Sequence, residues 1–163
     1  MNVVFVGPID TYSGYGARSR SIAKSLLTMG YDSVKFIPTR WGNTPLGFLM
    51  DENEVELINN IIPSMDTKPD IFIQCTIPNE FQAAGKYNIG ITAGTETTGI
   101  LDTWVDGCNR MDLVLVSSNH SKVVFESAKY TKENGTTSRI ETPISVLFEG
   151  LDINKYYKIE WID

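Results

Sequence analysis

One histidine, two cysteines and no long apolar run set the first limits on this chain of 163 residues. A membrane-spanning helix needs about 18 or more consecutive apolar residues, and the sequence holds no such stretch. With His120 alone, a Ser-His-Asp set has no nucleophile that can be assigned beside its base, and a zinc site is short of ligands. No metal centre is expected. Cys75 and Cys108 sit in apolar segments without C-x-x-C spacing, which reads as two buried free thiols in a reducing compartment. Basic residues are outnumbered 14 to 20, a net charge of −6, and no Lys/Arg run makes a local exception. Such a surface repels phosphate backbones and makes nucleic acid an unfavourable partner. The apolar start, Met1 to Gly7, lacks a basic n-region and is too short for a signal peptide, so it reads as a first strand. A cytoplasmic protein is expected.

What is present is an ordinary globular composition, 42% hydrophobic and 21% charged. A chain of this length buries roughly two thirds of its accessible surface on folding, enough for a core without staples. Short apolar runs alternate with segments of helical period. Val3 to Val6 is an unbroken apolar run ending at Gly7-Pro8, as in a strand buried on both faces. A helix follows with an apolar stripe of Ile22, Ala23, Leu26, Leu27 and Met29, while Arg20, Ser21, Lys24, Ser25 and Thr28 fall opposite. Gly30 stops it. Ser33 to Ile37 is the second strand, 39–50 an irregular loop, and Glu52 to Ile62 has helical spacing.

Further strands are expected over Ile71 to Ile77, Tyr87 to Thr92, Leu113 to Val116 and Ile144 to Phe148. Trp104, Val105, Cys108 and Met111 form one helical face; another helix, capped by Ser118 or Asn119, runs to about Tyr130. Residues 131–143 read as an exposed loop. The pattern predicts an α/β fold: a Rossmann-like, doubly wound, mostly parallel sheet of about six strands with helices on both faces. In that architecture ligands bind beyond the carboxyl ends of the strands, which places the candidate site on loops 7–16, 38–47, 77–80, 93–99, 117–120 and 149–152.

Several of those loops carry suitable chemistry. Gly14-Tyr15-Gly16 leads into a helix N-terminus, where unpaired N–H groups and absent side chains let a phosphate approach. The spacing fits neither G-x-G-x-x-G nor the P-loop pattern, so a Gly-rich turn with a purely structural role stands beside the binding reading. Thr95-Glu96-Thr97 concentrates hydroxyls and a carboxylate after a central strand; Glu96 can act as a base or accept sugar hydroxyls, or the group can simply cap the next helix. His120 lies on the same rim, as catalyst or as a solvent-facing residue. Asp10, Glu80, Glu96 and Glu149 all follow strands, which leaves a two-carboxylate glycosidase open.

Taken in order, the segments resemble the N-terminal, acceptor-side domain of a GT-B retaining glycosyltransferase, of the group called glycosyltransferase family four. The resemblance rests on Ser13-Gly14-Tyr15-Gly16, Gly30-Tyr31, Glu96-Thr97-Thr98, Trp104-Val105 with Cys108-Asn109, Ser117-Ser118-Asn119-His120-Ser121-Lys122, and Glu149-Gly150-Leu151-Asp152. The chain departs from the family pattern at Ser117, where relatives carry proline, at Glu149, and at Gly94-Thr95-Glu96, where many carry histidine.

The resemblance implies that residues 1–152 are the first domain, that 153–163 begin an interdomain linker, and that a donor-binding domain lies outside this sequence. It implies Glu96 as the catalytic residue. Gly14, Tyr15, Gly16, Thr95, Thr97, Asn119, His120, Glu149 and Gly150 would bind substrate. No cofactor is required; the donor would be a nucleotide sugar held mainly by the other domain, and the partner here a sugar or glycan acceptor. Transfer would proceed with retention, the leaving group stabilised electrostatically. The isolated chain should be inactive or nearly so. The alternative is a non-catalytic Rossmann-like module that binds a sugar or a protein, and what separates the two is whether a face of the domain is left apolar and uncovered.

Overall fold

The structure, a computed structural model, describes residues 1–131, 135–150 and 156. Six parallel strands form one sheet: β1 (Asn2–Gly7), β2 (Ser33–Pro38), β3 (Ile71–Cys75), β4 (Tyr87–Ile91), β5 (Leu113–Val116) and, after a small hairpin, β8 (Ile144–Val146). Their order across the sheet is β2-β1-β3-β4-β5-β8. The order reverses at β1, so the crevice beyond β1 and β3 is the switch point at which doubly wound sheets take ligands. The expected α/β, Rossmann-like architecture is the observed one.

Helix α1 (Gly14–Thr28) crosses from β1 to β2 and packs on one face. Ser13 caps it, accepting from the Gly16 N–H, and Gly30 at φ +72° ends it. Beneath it lie Val3, Phe5, Val34, Phe36 and Ile73, which share a face by register. Helices α4 (Asp102–Cys108) and α5 (Asn119–Ser127) cover the other face, with Phe81, Val105, Cys108, Val114, Val116 and Phe125 buried between them. Two glycines allow close approach there. A Cβ at Gly90 would meet the Phe81 ring, and one at Gly107 would run into the Pro78 backbone.

Several local expectations change. Glu52 to Ile62 is not one helix: it holds only the single turn α3 (Val55–Ile58), preceded by another, α2 (Phe48–Asp51), with Asn53 at φ 53° between them. The chain then extends along β2, Phe36 donating to Asn60 and Ile62 donating back to Phe36, so tertiary pairing overrides the helical period. α2 also lies within the stretch expected to be irregular. α5 stops at Ser127, and Lys129–Thr131 (β6), expected as the end of that helix and the start of a loop, pairs antiparallel with Thr137–Arg139 (β7), expected within the loop; 132–134 lie outside the described residues. Arg20, placed on the polar face of α1, is buried, while Met29, placed on the apolar stripe, is 60% exposed. β3 and β8 end two residues sooner than expected, although Thr76 and Leu147 still donate to the neighbouring strands. Both cysteines are free and buried.

Candidate functional site

The carboxyl ends of the strands surround two adjoining cavities. The smaller, about 220 Å³, is lined by Gly14, Tyr15, Arg18, Cys75, Ile91, Thr92, Ala93 and Glu149 and lies beside the switch point. The larger, about 830 Å³, is lined by residues 93–96, by Ser117, Ser118, His120 and Ser121, and again by Glu149. Ala93 and Glu149 belong to both.

The loop carrying Glu96 is held from α5. Gly94 sits at φ +89°, and a Cβ there would strike the Ser121 hydroxyl, so only glycine fits without strain. Ser121 is 2% exposed; its Oγ donates to the Thr95 carbonyl at 3.1 Å and accepts from the Thr95 N–H at 3.2 Å. Ser118 caps α5 by accepting from the Ser121 N–H, so helix start and loop form one assembly. Beyond this clasp, Thr95 and Thr97 hydroxyls bond at 2.8 Å and Thr97 Oγ1 donates to the Gly99 carbonyl. Neither Glu96 nor the threonines cap α4, whose N-cap position is Leu101 with no side-chain bond. Glu96 is exposed and lines the larger cavity. His120 Nε2 lies 3.3 Å from the Thr97 carbonyl, which can only accept, so Nε2 carries the proton in this arrangement.

Glu149 reaches the site from the opposite side, and its anchor is a residue that sequence reasoning missed. Arg18 donates to the carbonyls of Leu147 at 2.6 Å and Phe148 at 3.2 Å, and its Nε stands 3.7 Å from a Glu149 oxygen. The signal was legible: Gly14 and Arg18 are four apart on α1, one face of a helix, and both line the smaller cavity.

Tyr15 joins the first loop to the fourth strand. Its hydroxyl is 3.1 Å from Thr92 Oγ1 and accepts from the Ala93 N–H at 3.0 Å. Burial pushes its phenol above the usual value, partly offset by those two hydrogen bonds. The ring stacks on Trp41 from the loop after β2, centroids 3.9 Å apart. Cys75 lines the same cavity, and burial pushes its thiol up to about 11, well away from nucleophilic use at neutral pH.

The four carboxylates separate into two kinds. Asp10 accepts from the N–H groups of Gly47 and Leu49, at 3.1 and 3.0 Å, and so ties the first loop to α2. Glu80 bonds to the Thr76 hydroxyl within its own turn. Glu96 and Glu149 instead share the larger cavity. Gly14, Tyr15, Thr95 and His120 also line one cavity or the other; Gly150 lines the flank of α1. Two candidates stand apart. Gly16 faces Thr11, whose carbonyl a Cβ would strike, so it serves the tight turn; Asn119 is exposed on α5 and lines neither cavity. Thr97 is exposed and acts through its bonds to Thr95 and Gly99.

Among the described residues no group of three or more His, Cys, Asp or Glu side chains is placed to hold a metal ion, and no helix is long and apolar enough to cross a membrane. In comparisons with known proteins, no family model, no curated protein and no solved structure matches this chain.

Proposed function

We propose that this chain is the acceptor-side half of a retaining glycosyltransferase, with a nucleotide-sugar donor held mainly by a second domain. The observation that carries this reading is an apolar groove of about 580 Å³ on the α1 face of the sheet. Ile73, Ile89, Ile91 and Leu115 form its floor, Ile22, Leu26 and Met29 one wall, and Leu147 and Phe148 its end. A self-sufficient module would cover such a surface, whereas a domain that works against another one leaves it for the partner. The groove shares Arg18 with the smaller cavity, so whatever covers it lies next to the site.

In this reading Glu96 faces the reacting centre, as base or as partner to sugar hydroxyls, and His120 and Glu149 bound the acceptor pocket. The N-terminus of α1, around Gly14, offers partial positive charge to a departing diphosphate. Most stabilisation of that group would come from the donor half, so the chain alone is expected to turn over little.

Saturation-transfer NMR of the chain against nucleotide sugars and free sugars, with Glu96→Ala and Gly14→Val as controls, tests the reading. Weak binding of free sugars, lost in Glu96→Ala, supports it. Tight binding of a complete nucleotide sugar would place the donor site here and reverse the assignment of halves. Silence across the panel favours a module that binds a protein.

A further inference from the structure

We infer that the acceptor carries a neutral sugar ring and that Trp41 receives its face; the inference deepens the transferase reading and rests on it. The indole lies on Tyr15 with 21° between the ring planes, yet Trp41 is only half-buried, so part of it stays open to solvent. Its surroundings hold it in place before any ligand binds. The turn closes with Thr44 donating to the Trp41 carbonyl at 3.0 Å, over Gly42 at φ +51°. The loop is fastened to the first one by Thr39 donating to Gly7 and Tyr12 donating to Pro45. A fixed aromatic surface loses little freedom on binding, which is what a recognition platform needs.

The platform is coupled to the site. The ring that carries Trp41 ends in the hydroxyl bonded to Thr92 and Ala93, and Ala93 begins the loop that presents Glu96. The chemistry there selects the occupant. Glu96, Glu149 and the hydroxyls of Thr95 and Ser117 suit a ligand that is itself a set of hydroxyls. Net charge of −6 opposes a phosphorylated one, and Arg18 is already engaged by two carbonyls and Glu149. A pyranose answers both demands, with a rim of hydroxyls for the carboxylates and a C–H face for the indole.

The test is a titration of the whole isotope-labelled chain with maltotriose, cellotriose, mannotriose and chitotriose. It follows the Trp41 indole N–H and the amides of Thr95 to Thr97, in the parent chain and in Trp41→Phe and Trp41→Ala, with melting temperatures recorded. The expected result is one sugar that moves both sets of signals together. Its affinity should fall roughly tenfold in Trp41→Ala and less in Trp41→Phe, as for loss of a stacked ring, while Trp41→Phe melts where the parent does. A sugar that moves the Thr95 to Thr97 amides but not the indole, and binds Trp41→Ala as well as the parent, overturns the platform and leaves the transferase reading standing. Silence from every sugar overturns both.

Discussion

The two faces of the central sheet are built from the same strands yet finished differently. On one face, Val114 and Val116 of β5 are sealed beneath α4 and α5, and Phe81 and Phe125 are at most 1% exposed. On the other, the neighbouring Leu115 and Ile89 are only partly buried beside an open groove. Topology explains the contrast. The turn carrying Phe81, α4 and α5 all arise from connections after β3 and pack on one face, leaving α1, with Leu49 of α2 and Leu57 of α3, as the cover over β1 to β3. Among the described residues one core is thus enclosed, while the other keeps an apolar groove beside it.

The contrast can be broken most directly at Phe81. Phe81→Ala should cost about 3–5 kcal/mol in urea unfolding, as for a fully enclosed aromatic, and a loss below about 1 kcal/mol would mean that the sealed face is not sealed. Asp10→Ala comes next. It strands two backbone N–H groups that join the α1 side to α2, and about 2 kcal/mol should be lost by the same measurement, while Glu96→Gln leaves stability unchanged.

The cysteines compare the faces chemically, because Cys75 belongs to one core and Cys108 to the other. Burial pushes Cys75 up to about 11 and Cys108 up to about 12, from an ordinary value of 9.0. At pH 9 to 10 iodoacetamide should label both thiols far more slowly in the folded chain than in urea. Rapid labelling of one of them without denaturant would show that its face is open. Since both values rise on folding, the stabilisation is fully present below pH 9.0 and is lost as pH climbs through about 11 and 12. The smallest effect belongs to the open face. Met29→Lys and Phe148→Ser should change stability by less than about 0.5 kcal/mol, yet reduce binding of a hydrophobic dye to the native chain.

The strands were legible because β1 and β5 are apolar on both faces, β3 nearly so, and all are bounded by turn residues, a pattern that no amphipathic helix imitates. The end of α3 at Ile58 was not: Val55, Ile58, Ile61 and Ile62 keep a helical period while Ile61 pairs with Phe36, a contact between distant segments. Arg20 misled for the same reason. A guanidinium reads as solvent-facing until Phe48, 28 positions further on, supplies a ring 3.4 Å from it and the carbonyls of Ile9 and Thr11 accept its hydrogen bonds. Glu96 and His120 were expected at the carboxyl ends of the strands because both follow strands, and both line the larger cavity. Gly16 and Asn119 satisfy the same rule yet line neither cavity, because Gly16 packs against Thr11 and Asn119 is exposed on α5.

The sheet's two outer edges also differ, and the difference bears on how copies of the chain would associate. The free edge of β2 is partly occupied by residues 60–62, which exchange backbone hydrogen bonds with Phe36. Among the described residues nothing pairs with the outer edge of β8, a strand of three residues followed by the exposed Leu147 and Phe148. An unpaired edge beside apolar side chains is a template for another strand. Crowding this protein should therefore produce aggregates seeded at Ile144–Val146 rather than at Ser33–Pro38, and Val146→Pro, which removes an outward-facing N–H and spares the bonds to β5, should keep them from growing.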